Sequence, residues 1–433
     1  MLLTSSAFFI FLAALFLLYW PTARYRRLAA AVLFAASCFF LAKWDVRYLA
    51  ILPAAALIDY GIGLALGRRR SVWLVLLSVA MNVALIATSL PISLSFYAFQ
   101  AMSYTIDVYR NDAKPIRGVL AYLTSATFFP TLLAGPITRP ASLAPQLEKF
   151  KPLAPEDGGR ALFLMGLGMA KKLLIADYLG ENLVNRVFDA PKLYSGFEAL
   201  VAVYAYAFQL YYDFSGYSDV AIGAALLLGL KLPPNFNAPY SASNLADFWR
   251  RWHMTLSNWL RDYVYFSFPG LRSTAYMQYV ALIATMLIGG VWHGATWNFA
   301  IWGALHGVGL AVVRAWPWEA KSSGAKIAAS LATFNFVCFG WIFFRASTVE
   351  NALAVIGRIG SLTFSAANVT PPIAVVLAVG ALAHFVPKLW FETARDRFAA
   401  TPFYVQAAAL MLLVIGLQYI ASTGAAPFIY TRF

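Results

Sequence analysis

Long apolar runs separated by short polar breaks recur along the whole of this chain. An α-helix rises 1.5 Å per residue, so crossing about 30 Å of hydrocarbon takes about 20 such residues. The pattern predicts helices in or across a bilayer at about 2–20, 28–42, 46–66, 72–90, 117–134, 161–178, 196–212, 218–230, 275–292, 297–313, 327–344, 372–387 and 404–422. About ten to twelve of these are expected to be true spans. The stretch from Pro91 to Val108 interrupts the pattern with Ser, Tyr, Gln and Thr, and is expected to lie at the interface or to re-enter. No fixed-period repeat, inverted pair of halves, low-complexity segment or soluble linker divides the chain. The fold class that follows is an all-α, polytopic integral membrane protein, one membrane domain over residues 1–433.

Composition strengthens this reading. Of 433 residues, 61% are hydrophobic and 12% charged, whereas a soluble domain carries about a quarter charged residues. Lys and Arg number 33 against 19 Asp and Glu, a net charge of +14. In a soluble protein that balance would raise the question of nucleic acid, but no module with interleaved aromatic and basic residues is present. In a membrane protein it marks cytoplasmic loops, which also face anionic lipid headgroups. The first apolar run has no basic residue ahead of it and no cleavage site, and so reads as a retained span. Arg24, Arg26 and Arg27 follow it, Arg68, Arg69 and Arg70 close the third run, and Lys388, Arg395 and Arg397 precede the last. These clusters are expected in the cytoplasm, with both termini outside. Cys38 and Cys338 sit in apolar runs without metal-ligand spacing, and no metal is expected.

Ionisable groups are costly in hydrocarbon, so the few that fall inside apolar runs are the places to look for chemistry. The chain has four histidines: His253, His293, His306 and His384. His293 lies in IGGVWHGATWNFAIWGALHG, bracketed by Gly289, Gly290 and Gly294, which allow close approach of a helix or a substrate. A neutral imidazole there suits a general base; the alternative is a packing histidine that bonds a neighbouring helix. His253 belongs to NFNAPYSASNLADFWRRWHMTLSNWLRDYVYFSFPG, in which Asn244 and Asp247 resemble a helix start and Phe248, Trp252, Leu256, Trp259 and Tyr263 follow at helical spacing. That spacing predicts one amphipathic helix, with Asp247 placed to pair Arg250 or Arg251. An interfacial anchor would account for most of it. In YYDFSGYSDVAIG, Asp213 and Asp219 either orient a histidine or arginine or cap a helix after Gly216, and capping is the simpler expectation.

SFYAFQAMSYTIDVYR (95–110), FFPTLLAGPITRP (128–140), KKLLIAD (171–177), YYDFSGYSDVAIG (211–223), the 235–265 segment, GGVWHGATWNFAIWGALHG (289–307) and GWIFFRA (340–346) resemble, in order and spacing, the motif series of the bacterial alginate O-acetylation branch of the membrane-bound O-acyltransferases. The resemblance covers a core of about 45–350, with C-terminal spans and tail at 351–433. It implies a helical bundle, with re-entrant and interfacial helices, around a tunnel open to donor from the cytosol and acceptor from outside, in the bacterial inner membrane. It implies that His293 is the signature histidine and His253 the second active-site histidine. No bound cofactor is implied; acetyl-CoA or an acyl carrier thioester is the donor substrate. The implied partner is an extracytoplasmic SGNH-type or hydrolase-like transferase that acylates an exopolysaccharide such as alginate.

On this reading His293 takes a proton from a hydroxyl that attacks the thioester carbonyl. Asn298, Trp292 and His253 are candidates to meet the developing oxyanion. Lys171 and Lys172 either contact donor phosphates or snorkel at a helix end. The ending FIYTRF also resembles that branch, in which a C-terminal Tyr-x-x-Phe is associated with acyl hand-over; Tyr430 is thus either an acyl relay or an interfacial anchor. Rival readings are D-alanyl transfer to teichoic acid from a carrier protein, a transporter, and a noncatalytic scaffold. The topology is testable first: a cysteine introduced at Ser71, beside Arg68 to Arg70, should resist a membrane-impermeant thiol reagent applied outside. Ready labelling from that side reverses the orientation.

Overall fold

The computed structural model of the chain describes residues 3–88, 91–149, 151–268, 274–318 and 321–420. Every regular element within them is helical. Among the described residues three helices, Tyr48–Arg68, Ala275–His293 and Ser323–Arg345, are long and apolar enough to cross a bilayer unaided. Pro371–His384 and Lys388–Ala399 form a further pair bent by 93°, and Ser6–Thr22, Val72–Thr88 and Phe403–Leu417 are shorter apolar helices. Fewer helices meet that test than the run lengths suggested, because several apolar runs fold as broken elements. The run at 117–134 becomes Val119–Ala126 and Phe129–Leu132, and the run at 161–178 passes from the α-helix Pro155–Ala170 into the π-helical turns of Lys171–Asp177.

Two sequence expectations reverse for one physical reason. The runs at 196–212 and 218–230 are a single helix, Gly196–Leu227, about 48 Å long. Its polar centre is no break, since Asp213 and Ser218 are buried and find partners on other elements. The helix Ile92–Arg110, expected at the interface, lies inside the bundle against Tyr48–Arg68, Val72–Thr88 and Phe129–Leu132. Ser95, Gln100, Ser103, Thr105 and Asp107 along it are buried. In lipid, a helix with polar side chains is drawn inward, where hydrogen-bond partners exist, while apolar faces are left outside. Ser103 Oγ donates to the Gln100 carbonyl at 2.7 Å, and Ser78 Oγ lies 2.9 Å from Thr105 Oγ1.

The exterior is correspondingly apolar, with Ile10, Leu17, Trp73, Leu382 and Leu412 more than half exposed. On the helix Trp297–Ala315, Trp297 at the start is 78% exposed and Trp316, one residue past the end, is 80% exposed.

Because lipid tails are as apolar as leucine, helix association in a membrane depends on close fit. Ala275–His293 packs along Trp297–Ala315 through Gly290, where a Cβ would collide with the Phe299 carbonyl oxygen. The central helix meets Pro155–Ala170 at a second such point: a Cβ on Gly216 would sit 2.6 Å from the Gly168 carbonyl oxygen, and one on Gly168 2.5 Å from that of Gly216. Overpacking typically costs about 1–3 kcal/mol, and a backbone neighbour cannot rotate away. Gly216→Leu should therefore lower the midpoint of thermal unfolding in detergent clearly. A wild-type midpoint would show that the two helices separate without cost.

Candidate active site

The expected continuous helix around His253 is broken. Leu245–Trp249 ends, and Met254–Trp259 begins after His253, whose backbone is left-handed at φ 41° and ψ 54°. For a residue with a Cβ that conformation costs about 1–2 kcal/mol. Two main-chain bonds to the 235–237 segment hold it: Met254 N–H donates to the Asn235 carbonyl and Asn237 N–H to the Arg251 carbonyl, both at 2.9 Å. The N-terminal start at Asn244 is as expected, its Oδ1 accepting from Asp247 N–H at 2.8 Å, and Asp247 pairs with both Arg250 and Arg251. Phe248, Trp252, Leu256, Trp259 and Tyr263 are all buried, so the segment is an interior element rather than a surface anchor.

The break puts the His253 ring between Phe214 of the central helix, with centroids 4.6 Å apart, and Phe96, at 6.0 Å. Its Nδ1 lies 3.0 Å from Asn235 Oδ1, and Asn235 in turn donates through Nδ2 to Ser218 Oγ at 3.2 Å. His293 closes the helix Ala275–His293, packed against Trp292, Phe344 and Trp302 at 4.6, 4.9 and 5.3 Å. Phe96 joins the two halves, touching Trp292 at 5.4 Å as well as His253. Both imidazoles are buried.

Two of the suggested oxyanion donors make hydrogen bonds within the bundle. Trp292 Nε1–H donates to Ser95 Oγ at 2.8 Å, and Asn298 Nδ2 to the Ala346 carbonyl at 2.6 Å. Trp302 is different: its buried Nε1–H has no acceptor among the described residues, and its ring meets that of His293 edge to face. His306 and His384 have packing tasks. His306 Nδ1 accepts from Trp249 Nε1–H at 3.2 Å, and His384 Nε2 accepts from Tyr240 N–H at 3.1 Å.

Asp213 and Asp219 of the central helix cap nothing. Lys172 Nζ lies 2.6 Å from both Asp213 and Asp177, and Lys171 Nζ 2.6 Å from Asp219. These pairs lock Lys171–Asp177 to the central helix and take up the charge that the sequence offered for donor phosphates. Lys172 is buried, so its charge is an internal one. Tyr430 lies outside the described residues.

Comparison with known proteins decides the family. The profile of the membrane-bound O-acyltransferase family, MBOAT, matches residues 68–348. A probable alginate O-acetylase of Azotobacter vinelandii is 36% identical, the match covering 89% of this chain and 84% of that protein. A peptidoglycan O-acetyltransferase of Helicobacter pylori is 35% identical over 75% of this chain and 72% of its own length. A teichoic acid D-alanyltransferase of Bacillus subtilis is 27% identical over 58% of this chain and 67% of its own. The chain belongs to the membrane-bound O-acyltransferase family. It is an O-acyltransferase of the membrane, and both His253 and His293 fall within the matched region.

Sequence reasoning about this O-acyltransferase missed Asn235, Thr255 and Trp302. The proline pair at 233–234 that places Asn235 was the available signal, since Pro-Pro fixes an extended approach. Removing one partner of a buried ion pair typically costs about 3–5 kcal/mol. Lys172→Met, which strands two carboxylates, should therefore destabilise the folded O-acyltransferase by that order in detergent unfolding. Unchanged stability would mean that water reaches the triad.

Proposed function

We propose that the protein moves an acetyl group from a cytosolic thioester, acetyl-CoA, to the hydroxyl of an extracytoplasmic polysaccharide by way of a partner transferase outside the membrane. The observation that carries this reading is the convergence of two buried imidazoles, from segments 40 residues apart in sequence, on one aromatic wall beside a backbone break. Buried neutral imidazoles suit proton removal from a hydroxyl. In the transfer, the acceptor O–H bond breaks and its proton goes to an imidazole nitrogen of His293. The oxygen bonds the acyl carbon, and the C–S bond breaks with its electron pair on sulfur, which then takes the proton back. The Trp302 N–H is suited to meet the developing oxyanion, because it has no acceptor among the described residues while Trp292 has committed its own.

Acetyl transfer is favoured over D-alanyl transfer by the comparisons: the A. vinelandii and H. pylori O-acetylating relatives are 36% and 35% identical, while D-alanyltransferases reach 27% and 30% over shorter stretches. A tunnel through the bundle would carry the thioester from one face and the acceptor from the other, and Tyr430 would receive the acyl group at the outer mouth. Transfer from labelled acetyl-CoA by the purified protein, with and without its extracytoplasmic partner, tests this. General-base help contributes about 10²–10⁴ in rate, so His293→Ala should lose at least about 100-fold in a normally inserted protein. A folded His293→Ala variant with most of its activity removes the base assignment, and Tyr430→Phe with undiminished acylation of the partner removes the relay.

A further inference from the structure

Which nitrogen His253 presents is decided by what holds the other one. The Thr255 main-chain N–H lies 3.3 Å from Asn235 Oδ1, and a main-chain N–H only donates, so the Asn235 atom there is the amide oxygen. The Thr255 hydroxyl agrees. It accepts from Ile137 N–H at 3.0 Å, which leaves its own proton for Asn235 Oδ1 at 2.9 Å. The amide nitrogen faces the other way, to Ser218 Oγ at 3.2 Å. His253 Nδ1 is 3.0 Å from the same Asn235 oxygen. Two lone pairs do not bond, so Nδ1 carries a proton, and in a neutral imidazole Nε2 is then bare. Nε2 is buried and has no hydrogen-bond partner among the described residues.

We propose that Asn235 is a positioning residue that locks His253 in the Nδ1–H tautomer, so that Nε2 faces the site as a hydrogen-bond acceptor and cannot donate to the oxyanion. This rests on the reading above that His253 belongs to the acyl-transfer site. The left-handed backbone of His253 serves the same end. The Met254 N–H bond to the Asn235 carbonyl fixes the two residues to each other through the main chain, while Asn235 Oδ1 holds the ring. A second-sphere contact of this kind selects which imidazole nitrogen is available.

Labelling the full-length protein with ¹⁵N-histidine introduces four imidazoles, and the His253 signals are assigned by their loss in His253→Gln. In the wild type, Nδ1 should resonate as a protonated nitrogen and Nε2 as an unprotonated one. Asn235→Leu should abolish that preference and lower kcat by about 100-fold, with little change in donor KM. Asn235→Asp, which keeps an oxygen acceptor, should retain the tautomer and recover part of the rate. An Nε2–H tautomer in the wild type overturns the inference, as does an unaltered tautomer in Asn235→Leu; the wild-type spectrum decides even if that variant does not fold. The proposed tautomer together with full activity in His253→Gln would uphold the assignment to Asn235 and remove His253 from the reaction.

Discussion

Inside a bilayer every main-chain polar group must find its partner within the chain, because no water is present to take its place. The site depends on how this constraint is met at one break. Leaving the helical ladder at 250–253 frees main-chain groups, and the 235–237 segment takes them up. Pro233 and Pro234 ahead of that segment bring no N–H of their own, so it arrives with fewer donors to satisfy. Each bond is worth a net of about 0.5–1.5 kcal/mol, enough for two of them to offset the left-handed turn at His253. The side chains then repeat the pattern, with Asn235, Thr255, Ser218 and Ile137 N–H closing on one another around the imidazole.

The same central helix serves two charge environments within two turns. Asp213 holds Lys172, Phe214 flanks His253, Ser218 supports Asn235 and Asp219 holds Lys171. The Gly168 and Gly216 contact lies between these interactions and brings the backbones together. The internal ion pairs and the site are thus anchored to one rigid element, so a shift of the helix at Lys172 would be felt at the imidazole.

The class of fold was legible in the sequence because it follows from a tally of apolar runs, and the histidines because ionisable side chains stand out in such runs. The finer structure was not. YYDFSGYSD looks like punctuation, yet its carboxylates are answered by lysines more than forty residues away in sequence, a pairing that no local pattern announces. Ser, Gln and Thr in 91–108 lower hydropathy and suggest an interface, although the same residues favour the interior once partners are there. The helix start at Asn244 was readable from its side chain; the break at 250–253 was not, since every residue from Phe248 to Leu256 except His253 keeps a right-handed or extended backbone. Asn235 was overlooked because asparagine after two prolines reads as an ordinary turn residue.

The two exposed indoles at the ends of Trp297–Ala315 also act as a depth gauge. Tryptophan settles at the headgroup level, and 19 residues of helix measure about 28 Å, close to the hydrocarbon thickness. His306 is near the middle of that helix, and would be at the midplane of a bilayer whose headgroups met both indoles. His293 precedes Trp297 by four residues, and on the same gauge would stand near one headgroup layer. A hydrophilic acceptor arriving from that side would need no passage through hydrocarbon, and the acyl donor, if it comes from the opposite side, would have to span nearly the whole membrane to deliver its cargo.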